Sequence, residues 1–262
     1  MLNKKIFFVV AGILIVLMGA YAGAKINLQK TDVKLENVND FLEEINIDTT
    51  KLRLFTKVSR AIDFNANELS LSGTLTVHDG SDNSANVNNA PYSFIRKDSS
   101  FYYRLDLMEM INADGYYIQA DAGQKKILLM PGKRISPQRM LPQLEKFVAN
   151  LKEERYKILE MPASEGFRKI SLINTHHITC KEYSITFNSE TLKPIEIFVR
   201  LSNFDDPLNT KMDKTITMKY FQTNNLNDDK WLSTERIVLK TDQGFKPAIE
   251  YNGYEIIDKS TN

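Results

Sequence analysis

The residues that could carry out chemistry are few in this sequence. Its three histidines are His78 and the adjacent pair His176 and His177. Neighbouring residues on a strand point to opposite faces, so this pair cannot bind one metal ion together in an ordinary strand. We therefore predict no metal site and interpret the pair as polar residues at the start of a strand.

The single cysteine, Cys180, lies in a segment that we predict to be a strand. A nucleophilic thiolate needs a positive, partly exposed setting and a partner base. A buried structural thiol is the prediction for Cys180. One cysteine also excludes an internal disulfide and a thiolate metal cluster.

Paired carboxylates occur at Glu43–Glu44, Asp205–Asp206 and Asp228–Asp229. Adjacent acids in turns are usually solvated, whereas the two acids of a glycosidase must face each other across a cleft. The segment Asp79–Asn83 lacks the closing glutamate of a calcium-binding EF-hand loop. There is no Gly-x-Ser-x-Gly sequence and no phosphate-binding glycine loop. We predict no catalytic residue, no cofactor and no enzymatic activity; a hydrolase is the least supported alternative.

Composition indicates a globular chain. The 262 residues include 34 basic and 33 acidic side chains, a formal net charge of +1, and 42% are apolar. These values exclude a disordered or polytopic membrane protein. The balanced charge provides no basic footprint, so we expect no nucleic-acid partner.

The N-terminal segment, residues 1–24, indicates the compartment. Lys4 and Lys5 precede an uncharged apolar run, residues 6–24, which ends in Ala22-Gly23-Ala24. This pattern is typical of a secretory signal, and a run of this length at about 1.5 Å per residue also nearly spans a hydrocarbon core of about 30 Å. Residues 1–24 are therefore predicted to be a signal peptide or a retained signal anchor that contacts the membrane through residues 6–24. Either one exports the body, and we predict the periplasm of a bacterial envelope.

The exported body is predicted to contain a linker, residues 25–37, and one domain, residues 38–262. Apolar residues recur at helical spacing in 37–45 and 49–64, with Asp48 or Thr49 as N-cap, and a third amphipathic helix is predicted over 136–151. The predicted strands are residues 68–78, 92–97, 101–109, 116–121, 126–130, 156–161, 167–174, 177–187, 195–201, 215–221, 232–240 and 248–257.

This order predicts an α+β fold without a βαβ rhythm. A large antiparallel sheet must close, pair face to face or be covered by helices. Because few helices are available, we expect a strongly curved antiparallel sheet, an open half-barrel covered by a few α-helices, with the N-terminal hydrophobic helix as an addition. Such a half-barrel leaves an apolar trough between sheet and helices.

Aromatic and aliphatic residues alternate along the strands that would line this trough. They are interpreted either as the ordinary core of a sheet or as the lining of a lipid-binding trough closed by the third helix. The candidate ligand-binding residues are Tyr92, Phe94, Phe101, Tyr103, Leu105, Leu107, Tyr116, Ile118, Leu144 and Phe147.

Three segments have a recognisable order. The strand LSLSGTLTVHDG is followed by YSFIRKDSSFYYRLDLMEMINADGYYIQADAGQKKILLM, by the third helix, and by the hairpin YSITFNSETLKPIEIFVRL, whose second strand opens at Pro194. Over residues 49–258 this order resembles the LolA-like superfamily of outer-membrane lipoprotein-sorting proteins. The resemblance implies an incomplete β-barrel with a helical lid, a cavity for acyl chains, and a carrier or sensor in the periplasm. The body is longer than that of compact members, and a retained anchor would prevent shuttling.

Two functions of different classes follow. The first is a non-enzymatic envelope protein that binds a lipid acyl chain or a lipidated protein in the trough. The second is an inner-membrane-anchored structural or adaptor subunit of an envelope assembly such as a secretion machine. In that case the trough is a filled core, and loops such as 79–91 contact protein partners. A cleaved N-terminal segment favours the first function and a retained one favours the second.

Overall fold

A computed structural model describes residues 48–62, 67–132, 151, 153–221 and 229–260. The predicted signal segment, the linker, the first short helix and the third helix up to residue 150 lie outside these residues. Leu144 and Phe147 belong to that part of the chain. Within the described ranges, no helix is both long and apolar enough to cross a membrane.

The described residues form one α-helix, α1 (Thr49–Ser59), and fourteen strands. The strands are β1 (Glu68–Asp79), β2 (Val87–Lys97), β3 (Ser100–Leu105), β4 (Met108–Ala113), β5 (Tyr116–Asp121), β6 (Lys126–Pro131), β7 (Lys157–Ser164), β8 (Phe167–Ile173), β9 (Cys180–Asn188), β10 (Pro194–Leu201), β11 (Lys214–Phe221), β12 (Val238–Thr241), β13 (Gly244–Pro247) and β14 (Glu255–Asp258). Short 3₁₀ turns occupy Asn83–Ala85, Thr210–Met212, Asp229–Leu232, Thr234–Arg236 and Ile249–Tyr251.

Twelve of the strands form one sheet in the order β14-β6-β5-β4-β3-β2-β1-β11-β10-β9-β8-β7. Neighbours within β2–β6 and within β7–β10 pair antiparallel, which confirms the predicted antiparallel sheet. The short strand β14 pairs parallel with β6, a long-range pairing that local sequence patterns do not reveal. Strands β12 and β13 form a separate antiparallel hairpin.

The chain divides into two compact units, each with its own apolar core. The described part of unit 1 comprises residues 48–62, 77–86, 151 and 153–217. The described part of unit 2 comprises residues 67–76, 87–132, 218–221 and 229–260. Strands β1 and β11 contribute residues to both units.

In unit 1, helix α1 packs against strands of the sheet. Asp48 caps the helix by accepting hydrogen bonds from the backbone N–H groups of Thr50 and Lys51, at 2.9 and 3.1 Å. Phe55 and Val58 are fully buried, and the Phe55 ring meets Tyr183 edge-on at 6.0 Å. The buried core of unit 1 consists of Phe55, Val58, Leu151, Tyr156, Ile158, Ile170, Leu172, Ile185 and Phe187.

Helix α1 ends at Ser59, before the predicted end at residue 64. The last turn tightens, because the N–H of Ala61 bonds to the carbonyl of Val58 at 3.1 Å in a three-residue step. Such a 3₁₀ step uses up a carbonyl that continued α-helix would need.

A fully buried ion pair connects β9 of unit 1 to the residue that precedes β11. Lys181 Nζ lies 2.7 Å from Asp213 Oδ1, and both side chains are 2% exposed. A second pair, Lys214 with Asp79 at 2.7 Å, lies at the end of β1. Burial raises the pKa of Asp79, but hydrogen bonds from Lys214 and Ser81 outweigh burial and lower this pKa to about 2.

We expect Asp213→Asn to lower the free energy of unfolding by about 3–5 kcal/mol, because it leaves the Lys181 ammonium buried without a counter-ion. The apolar double variant Lys181→Met with Asp213→Leu should recover most of this loss. Chemical denaturation measures both. The control is Glu255→Gln, which breaks the exposed pair with Lys126 at 3.7 Å and should change stability by less than about 1 kcal/mol. A double variant as unstable as the single one would contradict this account.

The pKa of Asp79 makes stability depend on pH in acid. The folded pKa of about 2 is below the ordinary value of 3.8, so ionised Asp79 stabilises the fold above pH 4. This stability is lost as pH falls from about 4 towards 2, and it amounts to about 1–2 kcal/mol once solvent screening of the exposed Lys214 is included. We expect the free energy of unfolding of wild type to exceed that of Asp79→Asn by this amount at pH 6 and by less at pH 3. Urea denaturation at the two pH values measures the difference. A difference that does not change with pH would argue against this assignment.

In unit 2, strands β2–β6 carry apolar residues on both faces. One face, face A, contains a continuous row of directly paired residues across the five strands. This row is Ile95, Tyr102, Ile111, Ile118 and Leu129. Residues 230–254, the C-terminal cover, pack on face A, and Ile237, Val238, Ala248 and Tyr251 complete its buried core.

Arg236 fastens the C-terminal cover to face A. Its Nε lies 3.4 Å from Glu109 Oε2, and its guanidinium lies over the Trp231 ring at 4.0 Å and the Tyr102 ring at 5.6 Å. The Tyr102 hydroxyl donates to the same Glu109 oxygen at 3.2 Å. One carboxylate on β4 therefore receives donors from the sheet and from the cover.

Several predicted strand boundaries are wrong. The predicted strand 101–109 is interrupted by a two-residue turn, in which Asp106 has a φ of 50° and Leu107 is 57% exposed. Aspartate tolerates this left-handed backbone better than most residues. The predicted loop 79–91 is shorter, since β2 begins at Val87.

The predicted strands 232–240 and 248–257 are broken by 3₁₀ turns and irregular backbone, with only the short strands β12 and β14 inside them. Ser233 caps the turn at 234–236 by accepting from the N–H of Glu235 at 3.3 Å. Strand β13 was not predicted. In this region the turns contribute apolar residues to the core, and the spacing of these residues in the sequence resembles that of a strand.

Candidate functional site

Face B is the face of β2–β6 opposite face A. Five of the predicted ligand-binding residues lie on it, on the paired strands β2 and β3. Tyr92 pairs with Leu105 and Phe94 pairs with Tyr103, while Phe101 pairs with Arg96. The structure therefore brings half of the ten predicted residues onto one surface.

Three other predicted residues lie elsewhere. Ile118 and Tyr116 belong to face A, where Ile118 is fully buried and the Tyr116 ring meets Phe245 edge-on at 5.2 Å. Leu107 projects from the turn between β3 and β4. The physical reason is that side chains alternate between the two faces of a strand. The length of each turn, such as residues 106–107 and 114–115, therefore decides which positions of the next strand lie on face B. Leu144 and Phe147 lie outside the described residues, so whether the set binds a ligand stays a prediction.

Residues that the sequence analysis missed extend face B over β4, β5 and β6. Met110 pairs with Tyr103, and Tyr117 and Met130 lie on the row that contains Phe101. The dipeptide Asp114-Gly115 could have revealed them. Both residues have positive φ, 52° and 80°, which sets a two-residue hairpin and pairs Ala113 with Tyr116. The added face B residues are Met108, Met110, Tyr117, Leu128 and Met130.

Aromatic rings follow one another across face B. Phe94 stacks on Phe101 with centroids 6.4 Å apart, and Phe101 lies 6.3 Å from Tyr117. Tyr92 meets Tyr220 edge-on at 6.5 Å and donates its hydroxyl to the Lys219 carbonyl at 3.2 Å. None of these rings belongs to the two core clusters of the described residues, although Tyr92 and Phe101 are buried, at 6% and 8% exposure. Face B is thus a third group of apolar side chains, some of them buried and some half-buried.

Gly73 on β1 makes room first for the Lys219 backbone and then for the Tyr92 ring. A Cβ at this position would lie 1.7 Å from the Lys219 carbonyl oxygen and 2.9 Å from the Tyr92 ring. The glycine interrupts the leucine alternation of β1 for this steric reason.

Polar groups on face B have weak partners. The Tyr117 hydroxyl donates to Met110 Sδ at 3.0 Å, and Gln119 Nε2 lies 3.6 Å from Met108 Sδ. Thioether sulfur is a weak acceptor. The buried hydroxyl of Tyr103 has no hydrogen-bond partner among the described residues. Burial raises the pKa of the tyrosine hydroxyls at 92, 103 and 117, so these side chains are neutral.

At the edges of face B, two buried polar side chains satisfy the backbone. Asn112 donates to the Ser99 carbonyl at 3.1 Å, and Asp121 accepts from the N–H of Gln124 at 3.0 Å. The central row of the face is Phe94, Tyr103, Met110, Gln119 and Leu128. This row offers an acyl chain mostly ring and thioether surface.

The histidine and cysteine candidates form a turn in unit 1. His177 Nδ1 accepts from the N–H groups of Thr179 and Cys180 at 3.2 and 3.1 Å, and its Nε2 lies 3.7 Å from Glu154. The Tyr156 hydroxyl donates to the Cys180 carbonyl at 2.6 Å. Burial raises the pKa of the Cys180 thiol to about 12, so a reactive thiolate does not form at neutral pH. Because the turn occupies residues 177–179, β9 begins at Cys180 and not at His177.

Two of the other candidate groups bond to nearby backbone, whereas Glu43, Glu44 and Asp228 lie outside the described residues. Asp79 Oδ1 accepts from the N–H groups of Ser81 and Asp82, so the loop that resembled a calcium site binds its own backbone. Asn203 accepts from the N–H groups of Asp205 and Asp206, and both acids are exposed. Among the described residues, no three His, Cys, Asp or Glu side chains are placed to hold a metal ion.

A groove of about 470 Å³ lies in unit 2 beside the C-terminal cover. Asp114 accepts from the N–H and the hydroxyl of Thr234 at 3.1 and 3.0 Å at its rim. The groove is lined by Asp114, Tyr116, Ser233, Thr234, Glu235, Val238, Lys240 and Phe245. Because most of these side chains are polar, the groove suits an acyl chain less than face B does.

We expect two tyrosine-to-phenylalanine variants to behave differently. Tyr103→Phe removes a buried hydroxyl without a described partner and should leave stability unchanged or raise it by up to about 1 kcal/mol. Tyr156→Phe leaves the Cys180 carbonyl without its donor and should lose about 1–2 kcal/mol. Chemical denaturation of both variants tests the comparison. An equal loss in both would show that the Tyr103 hydroxyl has a partner.

No protein-family model and no curated protein matches this chain. Solved structures match weakly. The complex of MucA and MucB from Pseudomonas aeruginosa gives 12% identity and a TM-score of 0.38, covering 70% of this chain and 61% of that chain. A DUF1329 family protein from Desulfovibrio piger gives 7% identity and a TM-score of 0.30, covering 72% and 98%.

A Vibrio parahaemolyticus domain described as an outer membrane lipoprotein-sorting protein gives 6% identity and a TM-score of 0.28, covering 70% of this chain and 96% of that chain. This chain thus spans about three fifths of the MucA/MucB chain that it matches. A lipoprotein-sorting domain is thus among the weak matches, and the LolA-like likeness of the sequence stays a weak resemblance. Similarity at this level carries no argument about function, which must come from the site itself.

Proposed function

We propose that this protein is an exported, non-enzymatic envelope protein that binds a lipid acyl chain, free or attached to a lipidated protein, on face B. The observation that carries the proposal is the mostly apolar row Phe94, Tyr103, Met110, Gln119 and Leu128 across β2–β6. It belongs to neither core cluster of the described residues, and all of its side chains except Met110 are half-buried. Face A is packed against the C-terminal cover, whereas Phe94, Tyr103 and Leu128 on face B are only half-buried, so we assign the ligand to face B.

The side chains of face B suit an acyl chain. Each buried methylene contributes about 0.8 kcal/mol before entropic losses, so a long chain gains enough from the Phe94, Phe101 and Tyr117 rings for specific binding. Met108, Met110 and Met130 have unbranched, polarizable side chains that adjust to ligands of different shape. Such a surface discriminates between ligands by the length of their apolar chain more than by any one chemical group.

The absence of a reaction is part of the proposal. The thiol of Cys180 is buried with a raised pKa, and His177 Nδ1 accepts backbone hydrogen bonds. Neither group is available as a nucleophile or base in this arrangement. Binding and release of an apolar ligand would need no such group.

The proposed location follows from residues 1–24. A basic start and an apolar run direct the body across the inner membrane. If the segment is cleaved, the protein moves freely in the periplasm. If it is retained, binding happens beside the inner membrane.

We expect purified protein to carry acyl lipid. We also expect it to bind a fluorescent fatty acid that an unlabelled fatty acid displaces, with a titration curve that saturates at one site. The full chain is produced with its own leading segment, and bound lipid is extracted and identified by mass spectrometry. Phe94→Asp should lower the affinity for the fatty acid at least tenfold, because it places a charge on the half-buried centre of face B. The matched control is Leu159→Asp, a half-exposed apolar residue of β7, which should bind as wild type.

Circular dichroism and thermal melting establish that both variants fold. If Phe94→Asp unfolds, Phe94→Ala replaces it, with a smaller expected loss. A protein without lipid that displaces nothing, or equal losses in both variants, would contradict acyl binding. The anchored adaptor with a filled core would then be the better account, and crosslinking in membranes would identify its partners.

A further inference from the structure

Unit 1 presents three large apolar side chains to solvent at one end. Phe204 is 81% exposed, Leu208 is 77% exposed and Ile178 is 53% exposed. Phe204 and Leu208 lie in the connection from β10 to β11, and Ile178 lies in the connection from β8 to β9. Large exposed apolar groups that cluster indicate an interaction site, whereas single ones are ordinary.

Hydrogen bonds hold the two connections next to each other. The N–H of Ser202 donates to the Thr179 carbonyl at 2.9 Å, and the Ser202 hydroxyl donates to the His177 carbonyl at 2.5 Å. Ser202 precedes Phe204 by two positions, and Thr179 follows Ile178 directly. The three apolar side chains therefore belong to one end of the unit.

Residues 203–208, the Phe204 loop, have internal order. The Asn203 side chain accepts from the N–H groups of Asp205 and Asp206, at 2.9 and 3.1 Å. The N–H of Asn209 returns to the Asp206 carbonyl at 3.2 Å, and Pro207 restricts the backbone between them. Because these hydrogen bonds already order the backbone, binding through Phe204 and Leu208 costs little further conformational entropy of the loop.

The charges of the loop determine what can cover it. Exposed Asp205 and Asp206 lie between Phe204 and Leu208, and the nearest exposed cation along the chain is Lys211. Two carboxylates at the tip oppose insertion into an anionic membrane surface. A protein pocket with an apolar floor and a basic rim complements both the side chains and the charges.

We propose that the Phe204 loop, together with Ile178, docks into an apolar pocket of a partner protein whose rim carries lysine or arginine. This surface belongs to unit 1 and face B belongs to unit 2, so the inference goes beyond acyl binding. The protein would carry a ligand with one unit and recognise a protein with the other.

The test uses a photo-crosslinking amino acid in the full chain, in the cells that naturally produce it. It is placed at Phe204 or Leu208, and at Ile249 as control, an apolar residue of unit 2 that is 92% exposed. We expect one defined protein to crosslink from the first two positions and not from the control. Mass spectrometry identifies it, and the purified pair is then measured by titration calorimetry.

Phe204→Ser with Leu208→Ser should weaken that complex at least tenfold, while thermal melting stays unchanged because both residues are exposed. Asp205→Asn with Asp206→Asn should weaken it severalfold at low salt and remove most of its salt dependence. Ile249→Ser should have no effect.

Crosslinks to lipid, to a second copy of this chain or to nothing at all would overturn the proposal. So would a partner whose affinity is unaffected by the serine variants or rises with the asparagine variants. The full chain is also mixed with vesicles of phosphatidylethanolamine and a smaller amount of anionic phosphatidylglycerol. Vesicle binding that is lost in the serine variants would assign the loop to the membrane and overturn the proposal as well. Fatty-acid displacement by the serine variants is measured in parallel, and its result reports on face B alone.

Discussion

A sheet with two apolar faces needs two covers, and this constraint organises unit 2. Residues at alternate positions of β2–β6 form the row Ile95–Leu129 on face A and the row Phe94–Leu128 on face B. The C-terminal cover satisfies face A, and Arg236 fixes it to the sheet through Glu109. On face B, Phe94, Tyr103 and Leu128 stay half-buried, which is the physical basis for proposing a ligand there.

Unit 1 solves the same problem differently. Helix α1 and the core around Phe187 fill one side of β7–β10, while the other side carries a polar network. There the Ser184 hydroxyl lies 2.8 Å from that of Ser171 and 2.6 Å from the Glu182 carboxylate, which also binds Lys169 at 3.0 Å. Each of these polar groups is thus paired either with a group of opposite charge or with a hydroxyl. Leu159 and Met161, 42% and 40% exposed, lie on this side beside the polar network.

Local patterns in the sequence predicted much of this. Alternation of apolar residues located β1, β5 and β6, and the Asp48 cap located the start of α1, because these features depend only on neighbouring residues. Face assignment failed at Tyr116 and Ile118, since the side on which a residue falls depends on the length of every preceding turn. The C-terminal cover was predicted as strands because 3₁₀ turns also space apolar residues closely. The parallel pairing of β14 with β6 has no local signature at all.

The position of the C-terminal cover in the chain has a consequence for biosynthesis. Ile237 of the cover comes far after Leu129 of face A in the sequence, so a chain made from its N-terminus presents face A long before its cover exists. At roughly 5–20 residues per second, synthesis from Leu129 to Ile237 takes on the order of 5–20 s. For that time face A lacks its cover, and transiently exposed apolar strands of this kind are prone to aggregate.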